Sequence, residues 1–314
     1  MGTGADEGGA DEGGPGEGGS DVRDRFRGSL MLDGGLATEL ERRGADLRDR
    51  LWSARLLLED PDLIREVHAD YFGAGADVAI SASYQASFQG FAERGVSPER
   101  AASLMRRSVE LAREAAVAAG NGRLVAASVG PYGAVLADGS EYDGRYGLSV
   151  PELVDFHRSR IEVLLDAGPD VLAMETIPSI LEAEALVTIL DGLPGAAAWI
   201  SFSCSDGLHI SDGTPFGDAA VLAASSDRVV AVGVNCSPPA HLPELLSSAR
   251  VDRPLLAYPN LGSTWDAAAR SWILEGPRPD LTAAAGEWRA AGAHIVGGCC
   301  GTTPDDIRAI AAGH

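Results

Sequence analysis

The sequence contains no lysine, and all 25 of its basic residues are arginine. Schiff-base catalysis needs a lysine amine, so lysine-dependent aldolases and pyridoxal-phosphate enzymes are excluded. A standard phosphate-binding P-loop is excluded for the same reason. The sequence also lacks an apolar run approaching the roughly 18 residues that a membrane span needs, and its N-terminus lacks a secretory signal pattern. We therefore expect a soluble, cytoplasmic protein.

Basic residues are few, with 25 against 46 acidic ones, so the formal net charge is −21 over 314 residues. A polyanion repels nucleic acid and anionic membrane surfaces, so neither is expected as a partner. Small-molecule substrates are expected instead, bound by a monomer or a small homo-oligomer.

The N-terminal residues 1–27 differ in composition from the rest of the chain. They are rich in glycine and acid, with six acidic residues between Asp6 and Asp21 and no large apolar residue among the first twenty after Met1. Such a segment cannot bury enough surface to offset the entropy lost on ordering. We predict a disordered acidic tail over 1–27, dispensable for activity and stability, and a single domain over 28–314.

From residue 29 onwards, short apolar runs alternate with longer amphipathic stretches. The eight runs are almost wholly apolar, as strands buried on both faces should be. They cover 29–35, 77–83, 124–130, 170–176, 197–203, 229–236, 254–260 and 294–300. Helices are predicted between them, beginning at Pro61 and Pro98 and near Val150, Ser179, Gly217, Pro239, Leu281 and Pro304.

Eight strands alternating with eight helices predict a single-domain α/β fold, a (β/α)8 TIM-type barrel. An open doubly wound sheet is the alternative, but it usually has a G-x-G-x-x-G turn after its first strand, and none is present. Two long connections, after the third and seventh strands, are candidate lids over the catalytic face.

Unusual polar residues fall at the carboxyl ends of the predicted strands. A barrel gathers all these ends around one mouth, so residues distant in sequence would face one cavity. The residues are Asp33, Ser81, Ser83, Glu175, Cys236, Asn260, Cys299 and Cys300.

Three of the four cysteines, Cys236, Cys299 and Cys300, belong to this set. Thiolate is the soft ligand that Zn²⁺ prefers, and three protein ligands would leave a fourth position open. Buried small hydrophobes, or a disulfide between Cys299 and Cys300, are the alternatives. Cys204 stands apart, and we interpret it as a plain thiol.

Two of the carboxylates, Asp33 and Glu175, suit either recognition of an ammonium group or acid–base chemistry. A loop cap or an internal salt bridge is the alternative for each. Of the histidines, His68 and His157 fall in predicted helices, where packing is the expected role.

Five motifs resemble the homocysteine S-methyltransferase family, from about Leu30 to the C-terminus. They are LDGGLATELERRG (32–44), SVGPYGAVLADGSEYDG (128–144), GVNC (233–236), YPN (258–260) and, most specifically, GGCCGTTP (297–304). LWSARLL (51–57), ASYQAS (82–87) and LADGSEY (136–142) are most similar to the branch that uses S-methylmethionine, with S-adenosylmethionine as a second donor.

The resemblance implies a zinc-dependent methyltransferase that makes methionine from homocysteine. It implies zinc ligation by Cys236, Cys299 and Cys300, and homocysteine recognition near Asp33 and Glu175. Ser83 is a further candidate for substrate binding, and Asn260 matches a position that can fill the fourth zinc site before substrate arrives. Tyr84 and Tyr132 are candidates for cation–π contact with a sulfonium donor.

Several alternatives remain open. Within the family, the enzyme could methylate selenocysteine or use betaine. Outside it, the chain could be a barrel enzyme with Asp33 and Glu175 as an acid–base pair. It could also be a binding barrel or a module of a larger methionine synthase. We expect a stand-alone enzyme, because few residues follow the GGCCGTTP motif.

Overall fold

The computed structural model describes residues 18–47, 53–120, 122–136, 138–266, 271–274 and 277–313. Residues 1–17 of the predicted tail lie outside these ranges. So do Leu51, Trp52 and Ala137 of the quoted motifs, and part of the connection after the seventh predicted strand. No helix in the described ranges is long and apolar enough to cross a membrane.

Each of the eight apolar runs contains a strand, and these strands form one parallel sheet with helices around it, which confirms the predicted barrel. A separate hairpin of two antiparallel strands follows the seventh strand. The strands are β1 (Leu30–Met31), β2 (Val78–Ile80), β3 (Leu124–Val129), β4 (Val171–Ile177), β5 (Ala198–Phe202), β6 (Val229–Asn235), β7 (Leu255–Tyr258), β8 (Ser263–Asp266), β9 (Ser271–Leu274) and β10 (Ala293–Val296).

The sheet closes on itself between its first two strands. Its order is β1-β10-β7-β6-β5-β4-β3-β2, and a parallel bridge joins Leu32 to Val78. The amide of Asp33 donates to the carbonyl of Val78 at 3.0 Å, and the amide of Asp77 donates to that of Met31 at 2.7 Å. These bonds make the two edge strands neighbours, so the carboxyl ends of all eight parallel strands surround one mouth.

Successive residues along the strands pack on opposite sides of the sheet. In β4, Val171 and Ala173 belong to the cluster inside the barrel, whereas Leu172 and Met174 pack against the helices. Both sides are apolar because both are buried, which explains why the strands appear in the sequence as continuous apolar runs.

Thirteen α-helices are described, and every predicted helix start is matched within a few residues. Asp60 and Ser97 cap the helices that begin at Pro61 and Pro98, because each side chain accepts a hydrogen bond from the amide of the third residue after it. The helices are α1 (Gly18–Arg27), α2 (Leu36–Arg42), α3 (Ser53–Glu59), α4 (Pro61–Gly73), α5 (Phe88–Ala92), α6 (Pro98–Ala119), α7 (Tyr132–Leu136), α8 (Val150–Asp166), α9 (Ile180–Asp191), α10 (Phe216–Ala223), α11 (Leu242–Ser248), α12 (Leu281–Ala290) and α13 (Pro304–Ala312), with 3₁₀ helices at Ser140–Tyr142 and Pro239–His241.

The two long connections carry secondary structure that the sequence analysis did not predict. The one after β3 contains α7 and the 3₁₀ helix at Ser140–Tyr142, and the one after β7 contains the hairpin of β8 and β9. Short elements of this kind give too few residues for a hydrophobic period to be recognised.

The boundary of the predicted tail at residue 27 is placed too late, because α1 already begins at Gly18. Val22 and Phe26 of this helix are buried in the cluster inside the barrel, with Leu30 and Trp199. The rings of Phe26 and Trp199 lie 5.8 Å apart between centroids. Composition did not reveal this helix, because two apolar residues are enough to anchor a helix on an apolar surface that the barrel already provides.

We predict that deleting residues 1–17 leaves the melting temperature unchanged, whereas deleting 1–27 lowers it by roughly 5 °C or more. The second deletion removes Phe26 from a closed apolar cluster, a loss on the order of 3 kcal/mol. Thermal unfolding followed by circular dichroism tests both forms. Arg27→Ala, at an exposed position of the same helix, is the control; equal melting of the 1–27 deletion and the full chain would contradict the packing argument.

Candidate active site

A cavity of about 100 Å³ opens at the carboxyl ends of the strands. Its walls come from the loops after β1, β2, β3, β6 and β10 and from residues near the carboxyl ends of β2, β3, β4 and β7. The chemically active lining residues are Ser81, Tyr84, Ser128, Tyr142, Glu175, Thr176, Cys236, Tyr258, Cys299 and Cys300.

The cavity brings together the three cysteines that the sequence places at strand ends. Their Sγ atoms all lie within 4.8 Å of one another, and those of Cys236 and Cys300 are 3.6 Å apart. Cys236 is buried, whereas Cys299 and Cys300 are half-buried on the cavity side. Four-coordinate thiolate sites have metal–sulfur bonds of about 2.3 Å, which puts neighbouring sulfurs about 3.8 Å apart. The cluster therefore fits a soft divalent metal.

Protonation of the three thiols is interdependent. Hydrogen bonds from Cys299 and Cys300 lower the pKa of Cys236 well below its usual range, against the opposing effect of burial. The same contacts raise the pKa of Cys299 and Cys300, because ionising either would place a second thiolate beside the first. The cluster by itself thus favours one negative charge, and a bound cation would allow all three thiols to ionise.

Cys236 is held by an unusual backbone conformation. Its φ is 46°, and that of Thr176, at the end of β4, is 62°. Asn235 lies between them: its Oδ1 accepts from the amide of Thr176 and its Nδ2 donates to Thr176 Oγ1, both at 2.7 Å. We call this pair of bonds the Asn235–Thr176 clamp. Left-handed backbone is costly for non-glycine residues, so the clamp contributes to holding the strand ends that carry Glu175 and Cys236.

The loop of Cys299 and Cys300 interlocks with the loop after β1. The Thr302 hydroxyl accepts from the amide of Gly35 at 3.0 Å and donates to the carbonyl of Cys299 at 2.6 Å. A Cβ on Gly298 would lie 2.3 Å from that hydroxyl, and Gly301 has a φ of +83°. The glycines of the GGCCGTTP motif are therefore required by close approach and by a left-handed turn.

Glu175 lies in the cavity wall with donors on both carboxylate oxygens. Ser128 Oγ donates to Oε1 at 2.5 Å, and the Tyr258 hydroxyl donates to Oε2 at 3.3 Å. Burial raises the pKa of Glu175 to about 7, with these hydrogen bonds opposing the rise and the Cys236 thiolate adding to it. A buried carboxylate in this position suits a positively charged ligand group.

Asp33 lies just behind the wall, between the lining residues Gly34 and Ile80. The amide of Ile80 donates to Oδ2 at 2.8 Å, whereas Oδ1 is buried and has no hydrogen-bond partner in the part of the chain that the structure describes. Burial raises the pKa of Asp33 well above its usual range, and the charge of Glu175 raises it further. A buried carboxylate oxygen without a hydrogen-bond donor is unusual, and it indicates that a donor from outside the described residues belongs at this position.

Two predicted substrate-binding residues, Ser83 and Asn260, are not among the described residues that line the cavity. The hydroxyl of Ser83 donates to the carbonyl of Ser128 at 2.7 Å and lies 2.8 Å from that of Ser81. Asn260 donates to the carbonyl of Cys236 at 3.1 Å and accepts from the amide of Gly262 at 2.8 Å. Both residues support the backbone of the site, because their polar groups point into the protein.

Of the aromatic candidates, Tyr84 lines the cavity and Tyr132 does not. Tyr132 packs against Tyr146 and Phe156 instead, with centroids 5.4 Å and 4.9 Å apart. The structure adds Tyr142, whose hydroxyl lies 3.4 Å from Cys236 Sγ. Cys204 is buried outside the cluster, as expected.

Behind the site, Arg160 of α8 is completely buried. Its guanidinium donates to the carbonyls of Tyr84, Gly130 and Ser83 at 2.9, 3.1 and 3.3 Å. Burial lowers the pKa of Arg160 to about 10, so it stays charged and holds together the loops that follow β2 and β3. His157, on the same helix, has the packing role expected for it and bonds to Glu182 at 2.8 Å.

Sequence reasoning missed Ser128, Thr176, Tyr142 and Tyr258. Ser128 and Tyr258 lie within strands, and an isolated Ser or Tyr there looks like any other buried residue. Tyr142, Ser128 and Tyr258 nevertheless lie inside the quoted motifs LADGSEY, SVGPYGAVLADGSEYDG and YPN, so these motifs carried a signal that could have identified them.

Comparisons with known proteins agree with this geometry. A family model described as homocysteine S-methyltransferase matches residues 30–313. A homocysteine S-methyltransferase of Escherichia coli (strain K12) is 50% identical over 292 residues, which cover 90% of this chain and 94% of that protein. A selenocysteine Se-methyltransferase of Brassica oleracea var. italica is 46% identical over 304 residues, covering 90% and 88%. The crystal structure of the homocysteine methyltransferase MmuM from Escherichia coli, in its metallated form, superimposes with a TM-score of 0.83 at 46% identity, covering 94% of this chain and 99% of the other.

We predict that Asn235→Ala lowers the free energy of unfolding by about 2–3 kcal/mol, because it removes both hydrogen bonds of the clamp and leaves the amide of Thr176 buried without its partner. Thr176→Ser keeps both groups of the clamp and should remain close to the parent protein. Urea unfolding with a metal chelator present throughout measures the difference without any contribution from bound metal. Similar losses in the two variants would show that the clamp is not what holds these strand ends.

Proposed function

The chain belongs to the homocysteine S-methyltransferase family, and on that premise we propose that it transfers a methyl group from a sulfonium donor to the thiol of homocysteine, giving methionine. The donor would be S-methylmethionine or S-adenosylmethionine. The observation that carries the proposal is the convergence of three thiols, within 4.8 Å of one another, beside the buried carboxylate of Glu175.

Cys236, Cys299 and Cys300 would hold one zinc ion, since the spacing and softness of their sulfurs fit Zn²⁺. Zinc bound there would deprotonate the incoming homocysteine thiol, whose pKa of about 8.5 otherwise leaves it mostly protonated at neutral pH. With three cysteine thiolates as ligands, the site keeps excess negative charge, so the substrate sulfur stays electron-rich and nucleophilic.

The amino group of homocysteine would lie against Glu175, with Asp33 supplying further negative charge from behind the wall. Glu175 presents a carboxylate whose orientation is fixed by two hydroxyl donors. Asp33 has a buried oxygen that lacks a donor among the described residues, and an ammonium group brings three.

The rest of the cavity suits a cationic methyl donor. Tyr84 and Tyr142 line it, and no arginine is among the lining residues of the described chain. Aromatic faces stabilise a sulfonium by roughly 0.5–2 kcal/mol. The methyl transfer is an in-line displacement that releases a neutral sulfide, so no general acid is required and alignment supplies much of the acceleration.

A second acceptor, selenocysteine, is supported by the relative from Brassica oleracea var. italica that bears the name selenocysteine Se-methyltransferase. In selenocysteine, the amino acid group lies one methylene closer to the nucleophilic atom than it does in homocysteine. Selenocysteine would use the same carboxylates and the same cysteine cluster.

We predict one zinc ion per chain, lost almost entirely, together with activity, when Cys236, Cys299 or Cys300 is replaced by alanine. Removing one of three thiolates leaves too few ligands to hold the ion. Elemental analysis of the purified variants measures the zinc. Cys204→Ala is the matched control and should keep its zinc; full zinc content in Cys299→Ala would contradict the assignment.

We predict a larger kcat/KM for S-methylmethionine than for betaine when homocysteine is saturating. A sulfonium leaves as a neutral sulfide, whereas the quaternary ammonium of betaine has a worse leaving group and needs more specific placement. Methionine formation is measured with S-methylmethionine, S-adenosylmethionine and betaine offered separately. A ratio below one would overturn the sulfonium assignment, and no methionine from any donor would overturn the proposed function itself.

A further inference from the structure

A line of hydrogen bonds runs from the interior of the barrel to the cavity wall. The indole Nε1 of Trp199 donates to the hydroxyl oxygen of Tyr258 at 2.9 Å. The Ser201 hydroxyl lies 2.5 Å from the same oxygen. Tyr258 in turn donates to Glu175 Oε2 at 3.3 Å. Trp199 and Ser201 are on β5, Tyr258 on β7 and Glu175 on β4, so three strands of the barrel are connected through one hydroxyl group.

The direction of these bonds follows from the chemistry of the groups. An indole N–H can only donate, so Tyr258 must accept from Trp199. The one proton of the Tyr258 hydroxyl goes preferentially to the ionised carboxylate, because a charge-assisted bond is stronger than one to a serine hydroxyl. Ser201 then completes the arrangement by donating to the remaining lone pair of the Tyr258 oxygen.

The position of Tyr258 is fixed by packing as well as by hydrogen bonds. It is almost completely buried, and its ring meets that of Trp199 edge-on, at 6.3 Å between centroids and 85° between planes. Trp199 is itself held against Phe26 of α1. The hydroxyl of Tyr258 therefore cannot swing away from Glu175 without disturbing the interior of the barrel.

Glu175 needs such a donor because negative charge surrounds it. Asp33 lies beyond the end of β1, and the Cys236 thiolate raises the pKa of Glu175. Cys299 follows β10 in the same cavity. Against these groups, Ser128 holds one carboxylate oxygen and Tyr258 the other. Without the second donor, the carboxylate would be free to rotate away from the cavity.

We infer that Tyr258 is a positioning residue, which turns the carboxylate of Glu175 towards the amino group of the thiol substrate. The inference rests on the proposed function, because it takes an amino acid thiol as the ligand. Tyr258, the tyrosine of the YPN motif, thereby helps the site to select thiols that carry an amino group. In this role, Tyr258 contacts the carboxylate of Glu175 and does not contact the reacting atoms.

The test compares two ligands that differ only in that amino group. Homocysteine and 4-mercaptobutanoate share the thiol, the chain length and the carboxylate. Their dissociation constants for the zinc-loaded protein and its variants are measured by titration calorimetry, which does not require methyl transfer. In Tyr258→Phe, we expect the preference for homocysteine over 4-mercaptobutanoate to fall on the order of tenfold, through weaker homocysteine binding. A change that only reshapes the wall would weaken both ligands alike.

The matched control is Tyr146→Phe, which removes a hydroxyl that donates to another buried carboxylate, that of Glu182, at 3.1 Å. Tyr146 does not line the cavity, so the preference should stay at the parent value. Glu175→Gln should lower the preference by itself, and adding Tyr258→Phe to it should lower it little further, because both changes act on one carboxylate.

An unchanged preference in Tyr258→Phe, or independent effects of the two changes in the double variant, would overturn the inference. If Tyr258→Phe does not fold, Trp199→Phe tests the same line of bonds. It frees the Tyr258 hydroxyl to turn, and a fall of a few-fold in the preference is expected; no fall there would count equally against the inference. Failure of the proposed function is recognised separately, as an absence of methionine formation by the parent protein.

Discussion

The pairing of β1 with β2, through Leu32 and Val78, turns an eight-stranded parallel sheet into a ring. In an open sheet, Glu175 on β4 and Cys299 beyond β10 would be separated by several strand widths. In the ring, both face one cavity with Cys236 and Tyr258. The spacing of the cysteine sulfurs, the surroundings of Glu175 and the interlocked loops after β1 and β10 all depend on this closure.

Closure also concentrates negative charge where little water can reach it. Asp33, Glu175 and Cys236 are buried close together, beside the half-buried Cys299 and Cys300, and burial raises the pKa of both carboxyl groups. The surrounding hydroxyl and amide donors oppose this effect without cancelling it. Such a site favours positively charged ligands. A metal ion at the cysteines and an ammonium group at the carboxylates would each relieve the repulsion between these negative groups in the free protein.

The sequence predicted the barrel because its strands are buried on both faces, and burial of that kind leaves continuous apolar runs in the chain. It predicted the convergence of Cys236, Cys299 and Glu175 because strand ends meet in a barrel whatever the packing details. It did not predict that Ser83 and Asn260 turn into the protein, or that Tyr132 packs against Tyr146 and Phe156, because side-chain direction depends on partners distant in sequence. Tyr258 was missed for the same reason, since its role depends on Trp199 and Glu175, both on other strands.

The position of α1 has a consequence for the order in which the molecule is assembled. Phe26 is synthesised before any of the barrel strands, yet its ring packs on Trp199, which is synthesised only after five of those strands have begun. The helix α1 therefore docks late, on a surface that does not exist until the fifth strand of the barrel has been made. Until then its two apolar side chains are exposed, and the acidic residues around them keep the nascent segment hydrated.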